Sequence, residues 1–163
     1  MFDVKPIVSS HKTDCGPTCL KMLLGYYGID VALGVLNQEC APDISGCTAA
    51  DLKKVGNMHG LDIKAYEMTC DELFKQDRPA IIHWKHNHFV IFCGLNKNGD
   101  AVICNPDSGR FGVPVNAFES FFSGVCLFNG EPEDMFTVPS IEERMEVLED
   151  AFAEFVMEVL SND

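Results

Sequence analysis

A cysteine sits where an apolar helix begins, Cys15 in Thr13-Asp14-Cys15-Gly16-Pro17-Thr18-Cys19-Leu20. Cysteine attacks as the thiolate, and its free pKa of ~8.5 must fall before it is useful at neutral pH. The unpaired N–H groups and the dipole at a helix N-terminus lower it. Asp14 or Thr13 reads as the cap, which puts Cys15 at the first helical position, and Gly16 allows close backbone approach. Cys19, one turn on, reads as packing, and its spacing is not the redox Cys-x-x-Cys pattern. A thiolate nucleophile also needs an imidazole, and the imidazole needs an orienter. His83, His86 and His88 lie together far downstream, followed by Asn105-Pro106-Asp107-Ser108-Gly109. His83 and His88 fall on strands and His86 in the turn between them. His88 opens the apolar run Phe89-Val90-Ile91-Phe92 and is the best base, because a strand end can reach a helix tip. Asn105 is placed to orient its ring, with Asp107 a competing orienter on the same turn. The bland alternative makes Cys15 a small buried residue and the histidines structural. Strand alternation separates neighbouring side chains and no Cys-x2-Cys pair exists, so neither a metal nor a cofactor is expected.

The elements that must position these residues follow from periodicity. Leu20, Leu23, Leu24 and Tyr27 repeat at helical spacing, with Pro17 in the first turn and Gly28 as the stop. Val31 to Cys40 is a weaker helical pattern and Ala41 to Cys47 a loop. Thr48 opens a helix to about His59, and Leu61 to Tyr66 alternates as a strand. Thr69-Cys70-Asp71-Glu72 is a capping box for a short helix ending near Gln76. Strands follow at Pro79–Trp84 and His88–Leu95. The Asn98-Gly99 turn returns the chain through Ala101–Cys104. Phe118 to Phe122 reads as one helical turn and Gly124 to Phe128 as a last strand. Helices first and an antiparallel sheet after make an α+β fold.

Residues 1–130 form the expected domain and 131–139, with Pro132 and Pro139, a linker. Residues 140–163 read as an acidic amphipathic helix whose Ile141, Met145, Leu148, Phe152, Phe155 and Val159 make a short heptad seam. That helix suits docking on its own domain or homo-oligomer formation as a coil.

Of the 163 residues 47% are hydrophobic and 10% aromatic, enough for a packed core. The net charge of −13 argues against nucleic acid, whose phosphates need Lys and Arg. Most of that charge belongs to the tail. Eight cysteines could make a disulfide framework, yet Met1-Phe2-Asp3-Val4-Lys5 lacks the basic and apolar regions of a secretory signal. Free thiols in a reducing, cytoplasmic setting are the expectation. No apolar run approaches the ~20 residues of a membrane span, so no membrane partner is expected.

Asp14-Cys15-Gly16-Pro17-Thr18-Cys19-Leu20-Lys21-Met22-Leu23-Leu24-Gly25-Tyr26-Tyr27-Gly28 closely resembles the nucleophile helix of the C39 peptidases. These are papain-fold domains that cut leader peptides from bacteriocin precursors. Pro79 to Trp84 with His88-Phe89-Val90-Ile91 resembles the family's histidine segment, and Ile103 to Gly109 its Asp-Pro-x-x-Gly turn. The resemblance covers residues 5–130. It implies a papain-like fold, a peptide or protein substrate, Cys15 as nucleophile, His88 as general base and acid, and Asn105 as orienter. The chain departs from the family at two positions. Asn105 stands where Asp is usual. Ser9 stands where the family carries a Gln that donates to the oxyanion hole, so Ser9, His11 or the Cys15 backbone N–H are the substitutes. A weak or inactive peptide-binding module and a papain-like acyltransferase are the alternative readings.

Overall fold

The computed structural model describes residues 1–40, 46–85 and 87–131. The chain divides into the units Met1–Glu133 and Asp134–Asp163, and the fold below is that of the first. The expected tail helix, its heptad seam, most of the linker and His86 lie outside the described residues.

A 3₁₀ turn, Lys12–Asp14, leads directly into α1, Cys15–Tyr26. Two further helices follow, α2 (Leu33–Cys40) and α3 (Ala49–Met58). After β1 (Ile63–Glu67) come α4 (Cys70–Phe74), β2 (Ala80–Trp84), β3 (His88–Leu95) and β4 (Ala101–Asn105). The chain then forms β5 (Gly109–Val113), α5 (Val115–Phe121) and β6 (Phe122–Asn129). All six strands join one antiparallel sheet in the order β1-β6-β2-β3-β4-β5.

The central strands are apolar on both faces, so each face must be covered. Ile81, Phe89, Ile91, Cys93, Cys104 and Leu127 point to the α1–α3 side, where they meet Leu20, Leu23 and Leu24 of α1 and Leu52 of α3. On the other face an aromatic cluster closes the sheet: Phe118 of α5 packs against Phe74, Trp84, Phe92 and Phe122. α1 is thus the buried central helix that its leucine spacing predicts, with Leu20, Leu23 and Leu24 fully enclosed.

Both capping boxes form. Thr48 Oγ1 accepts from the Asp51 N–H at 3.2 Å, and the Thr48 N–H donates to the Asp51 carboxylate at 2.9 Å. Thr69 and Glu72 repeat the arrangement at α4. Two features go beyond what the patterns show. β1 precedes α4, as its alternation predicts, but pairs with β6 at the far end of the domain. β5 is an additional strand. Its sequence, Gly109-Arg110-Phe111-Gly112-Val113, carries two glycines and reads as loop. It forms because backbone pairing to β4 needs no side-chain packing at a sheet edge. Arg110 also ties this edge to the N-terminal segment, donating to the carbonyls of Val4 at 2.8 Å and Phe2 at 2.9 Å.

Candidate active site

Cys15 occupies the first position of α1, as expected, but Asp14 does not cap the helix with its side chain. The 3₁₀ turn carries Asp14 out of the extended conformation that side-chain capping requires, and its carboxylate instead accepts from Asn37 Nδ2 at 3.2 Å. The first-turn N–H groups therefore stay available, and that of Gly16 points at the Cys15 sulfur. Gly16 is required for a further reason. A Cβ there would lie 2.2 Å from Cys47 Sγ, so the Cys47 thiol rests on the backbone beside the candidate nucleophile.

His88 opens β3 and hydrogen-bonds Cys15. Its Nε2 lies 2.9 Å from Asn105 Oδ1. Asn105 Oδ1 also accepts from the Asp107 N–H at 2.9 Å. That second bond fixes the amide with its oxygen toward the ring, so Nε2 carries a proton and Nδ1 serves the sulfur. Asp107 Oδ2 stands 3.7 Å from His88 Nε2, a longer-range charge beside a direct orienter. The turn holding both residues is pinned to the N-terminal segment by the Ser9 N–H, which donates to the Pro106 carbonyl at 2.8 Å.

Burial raises the Cys15 thiol. The hydrogen bond from His88, the Phe89 N–H, the charge of His88 and the Gly16 N–H outweigh it, so the thiol sits below its ordinary value. Burial lowers His88, but Cys15, Asn105 and the negative charges of Cys15 and Asp107 raise it on balance. The two shifts favour a thiolate–imidazolium pair. Cys19 behaves oppositely: fully buried and beside Cys15, it is pushed well up, as its packing role implies. Such a pair can attack a carbonyl carbon and protonate a leaving amine.

Ser9 and His11 turn toward each other. Ser9 Oγ donates to the His11 carbonyl at 3.0 Å and accepts from the His11 N–H at 3.2 Å. Neither side chain has a recorded bond to Cys15 or His88 among the described residues.

Sequence reasoning passed over the surroundings of His83. β2 pairs with β6 at Ile82↔Cys126 and again at Trp84↔Phe122. One residue of β2 therefore faces three of β6, Ser123, Gly124 and Val125. Gly124 holds φ +98° there, a value few other residues adopt. The bulge brings Ser123 Oγ to 2.8 Å from His83 Nδ1 and 3.0 Å from the His83 carbonyl. Beside it lies a cavity of about 380 Å³ whose wall includes Cys47, Thr48, Ala49, His83, Asn87 and Phe89. The only sequence signal for this was Gly124 inside an apolar run. Among the described residues no His, Cys, Asp and Glu group is arranged to hold a metal ion, and no helix is long and apolar enough to cross a membrane.

The family model described as the peptidase C39 family matches residues 3–134. The colicin V secretion/processing ATP-binding protein CvaB of Escherichia coli is 28% identical over 123 residues, covering 75% of this chain and 18% of that protein. The transport/processing ATP-binding protein ComA of Streptococcus pneumoniae strain R6 is 32% identical over 130 residues, 74% of this chain and 18% of that one. The chain thus spans under a fifth of the length of these relatives. A solved double glycine motif protease from an AMS/PCAT transporter, in complex with the leader peptide, is 32% identical. It superposes with a TM-score of 0.72 over 76% of this chain and 88% of that one. The peptidase domain of Streptococcus ComA shares the fold at a TM-score of 0.71, 21% identity, and 77% and 96% coverage.

Proposed function

From the premise that this chain belongs to the peptidase C39 family of cysteine peptidases, we propose that it cleaves a leader peptide after a double glycine, with Cys15, His88 and Asn105 as its machinery. The observation that carries the residue roles is the chain of contacts from Cys15 through His88 to Asn105 Oδ1 at 2.9 Å. The substrate class comes from the leader peptide bound by the solved double glycine motif protease.

The Cys15 thiolate attacks the scissile carbonyl carbon, and the carbonyl electron pair moves to oxygen. His88, as imidazolium, gives its Nδ1 proton to the departing amine, leaving a thioester. Water then attacks the thioester, neutral His88 takes the water proton, and the C–S bond breaks to return the thiolate–imidazolium pair. Asn105 keeps Nδ1 on the sulfur throughout. The backbone N–H at the start of α1 is the donor in reach of the oxyanion.

A second reading, a slow or peptide-binding member, draws on Ser9. Its hydroxyl is bonded to the His11 backbone, at the position where the family resemblance implies a Gln donor. The loss of one such donor costs about 10²–10³ in rate. Cleavage of a double-glycine leader peptide, followed by mass spectrometry, tests both readings. Wild type should cut after the glycine pair and Cys15→Ala should not. Ser9→Gln should raise kcat up to about 10²-fold with little change in KM. Product from Cys15→Ala would sink the nucleophile assignment. An inert wild type revived by Ser9→Gln would select the binding reading.

A further inference from the structure

We propose that His83 is a substrate-positioning residue whose Nε2 accepts a hydrogen bond from a backbone N–H of the peptide bound in the cavity beside Cys15. The inference rests on the peptidase reading and adds a residue to it.

The tautomer follows from two distances. Ser123 Oγ has one proton and two neighbours, His83 Nδ1 at 2.8 Å and the His83 carbonyl at 3.0 Å. A carbonyl oxygen only accepts, so the hydroxyl proton goes to it. Oγ must then accept from Nδ1–H. A neutral ring protonated on Nδ1 presents a bare lone pair at Nε2. Burial, with a smaller contribution from the charge of His88, lowers His83 below the ordinary histidine range, which keeps the ring neutral.

The ring is also immobilised. His83 stands directly opposite Phe89 across the β2–β3 pair, and the two rings meet edge to face with centroids 5.4 Å apart. Phe89 is also the residue whose backbone N–H bonds Cys15, so one residue of β3 joins the cavity wall to the nucleophile. No partner for His83 Nε2 is recorded among the described residues, and the ring lines the cavity. Gly46, Cys47, Ala49, Phe89 and Val125 make the rest of the wall small or apolar, with Thr48 and Asn87 as its other polar side chains. Such a site suits a chain segment with small side chains, whose only dependable donor is the backbone N–H. The bulge of β6 is what delivers Ser123 to the ring, and bulges concentrate where a side chain is re-aimed near an active site.

The test measures binding, so it does not depend on turnover. Full-length Cys15→Ala protein is titrated with a fluorescein-labelled double-glycine leader peptide and with a set in which each backbone N–H near the glycine pair is N-methylated in turn. One position should lose about tenfold in affinity when methylated. That penalty should vanish in Cys15→Ala/His83→Phe, where the ring packing on Phe89 is kept and the acceptor is gone. Cys15→Ala/His83→Gln, which returns an acceptor near the Nε2 position, should restore part of it. An identical methylation profile in the His and Phe proteins would overturn the inference. So would a His83→Phe protein with wild-type Cys15 whose alkylation rate falls, since His83 would then act through His88. Failure of the unmodified peptide to bind any of these proteins would overturn the leader reading, and this inference with it.

Discussion

At the scale of residues, the site turns on a contest between burial and a neighbouring charge. Burial pushes the Cys15 thiol up; His88 and two backbone N–H groups bring it down on balance. The same pair drives His88 up against its own burial. The signs set a window. Activity should fall on the acid side as the lowered Cys15 takes up a proton, and on the alkaline side as the raised His88 loses one. Iodoacetamide alkylation of Cys15, mapped by mass spectrometry across pH, reads the acid limb directly. That limb should lie below the ordinary thiol range in wild type. In His88→Gln it should move upward, because burial then acts with only the N–H groups against it. An unmoved limb would mean that the helix terminus alone activates the sulfur. Much at this scale was readable from the chain. Cys15, His88 and Asn105 carry their chemistry in their types and order, and the structure brings the three together. The Asp14 cap was misread in one respect: position was legible, but the preceding 3₁₀ turn, which takes the carboxylate off the helix end, leaves no periodic trace.

Among the elements, the junction of α1 with the start of α3 is the tightest packing point near the site. The Cys47 sulfur occupies the space a side chain at position 16 would need, 2.2 Å from its Cβ. Gly16→Ala should therefore cost about 1–3 kcal/mol of stability by overpacking, measured by denaturant unfolding. Gly16→Ala/Cys47→Ala should recover most of that loss, because the sulfur is the clashing atom. No recovery would place the strain elsewhere in the helix. Sequence reading performs unevenly at this level for physical reasons. β3 was legible to the residue, His88–Leu95, because its run is apolar and bounded by turn residues. β5 was not, since an edge strand held by backbone pairing and by Arg110 needs no apolar pattern. The β6 bulge was equally hidden. Its register depends on which strands β6 meets on either side, and that is set by the sheet and not by its own residues.

For the whole molecule, the buried apolar side chains among the described residues run from Val4 to Phe128, and the family match ends at residue 134. A chain ending at Glu133 should keep its melting temperature and its cleavage of a double-glycine leader. Sedimentation velocity of that chain beside the full one tests the proposed coil of residues 140–160. A lower association state on truncation supports it, and an unchanged state removes it. Composition announced a real core, and the sheet-plus-helix class followed from the order of patterns. The pairing of β1 did not, because its partner β6 lies at the far end of the domain. One consequence concerns the order in which the site is assembled. His88 and Asn105 lie 17 residues apart on one hairpin, β3–β4, whereas Cys15 arrives from a helix far upstream. Closing a short loop is entropically cheap and fast, and long-range docking is not. The base and its orienter therefore assemble with the hairpin, and the nucleophile joins when α1 seats its leucines on the sheet. A chain caught between these events holds an aligned histidine and an ordinary thiol, so the chemistry stays silent until the core has closed.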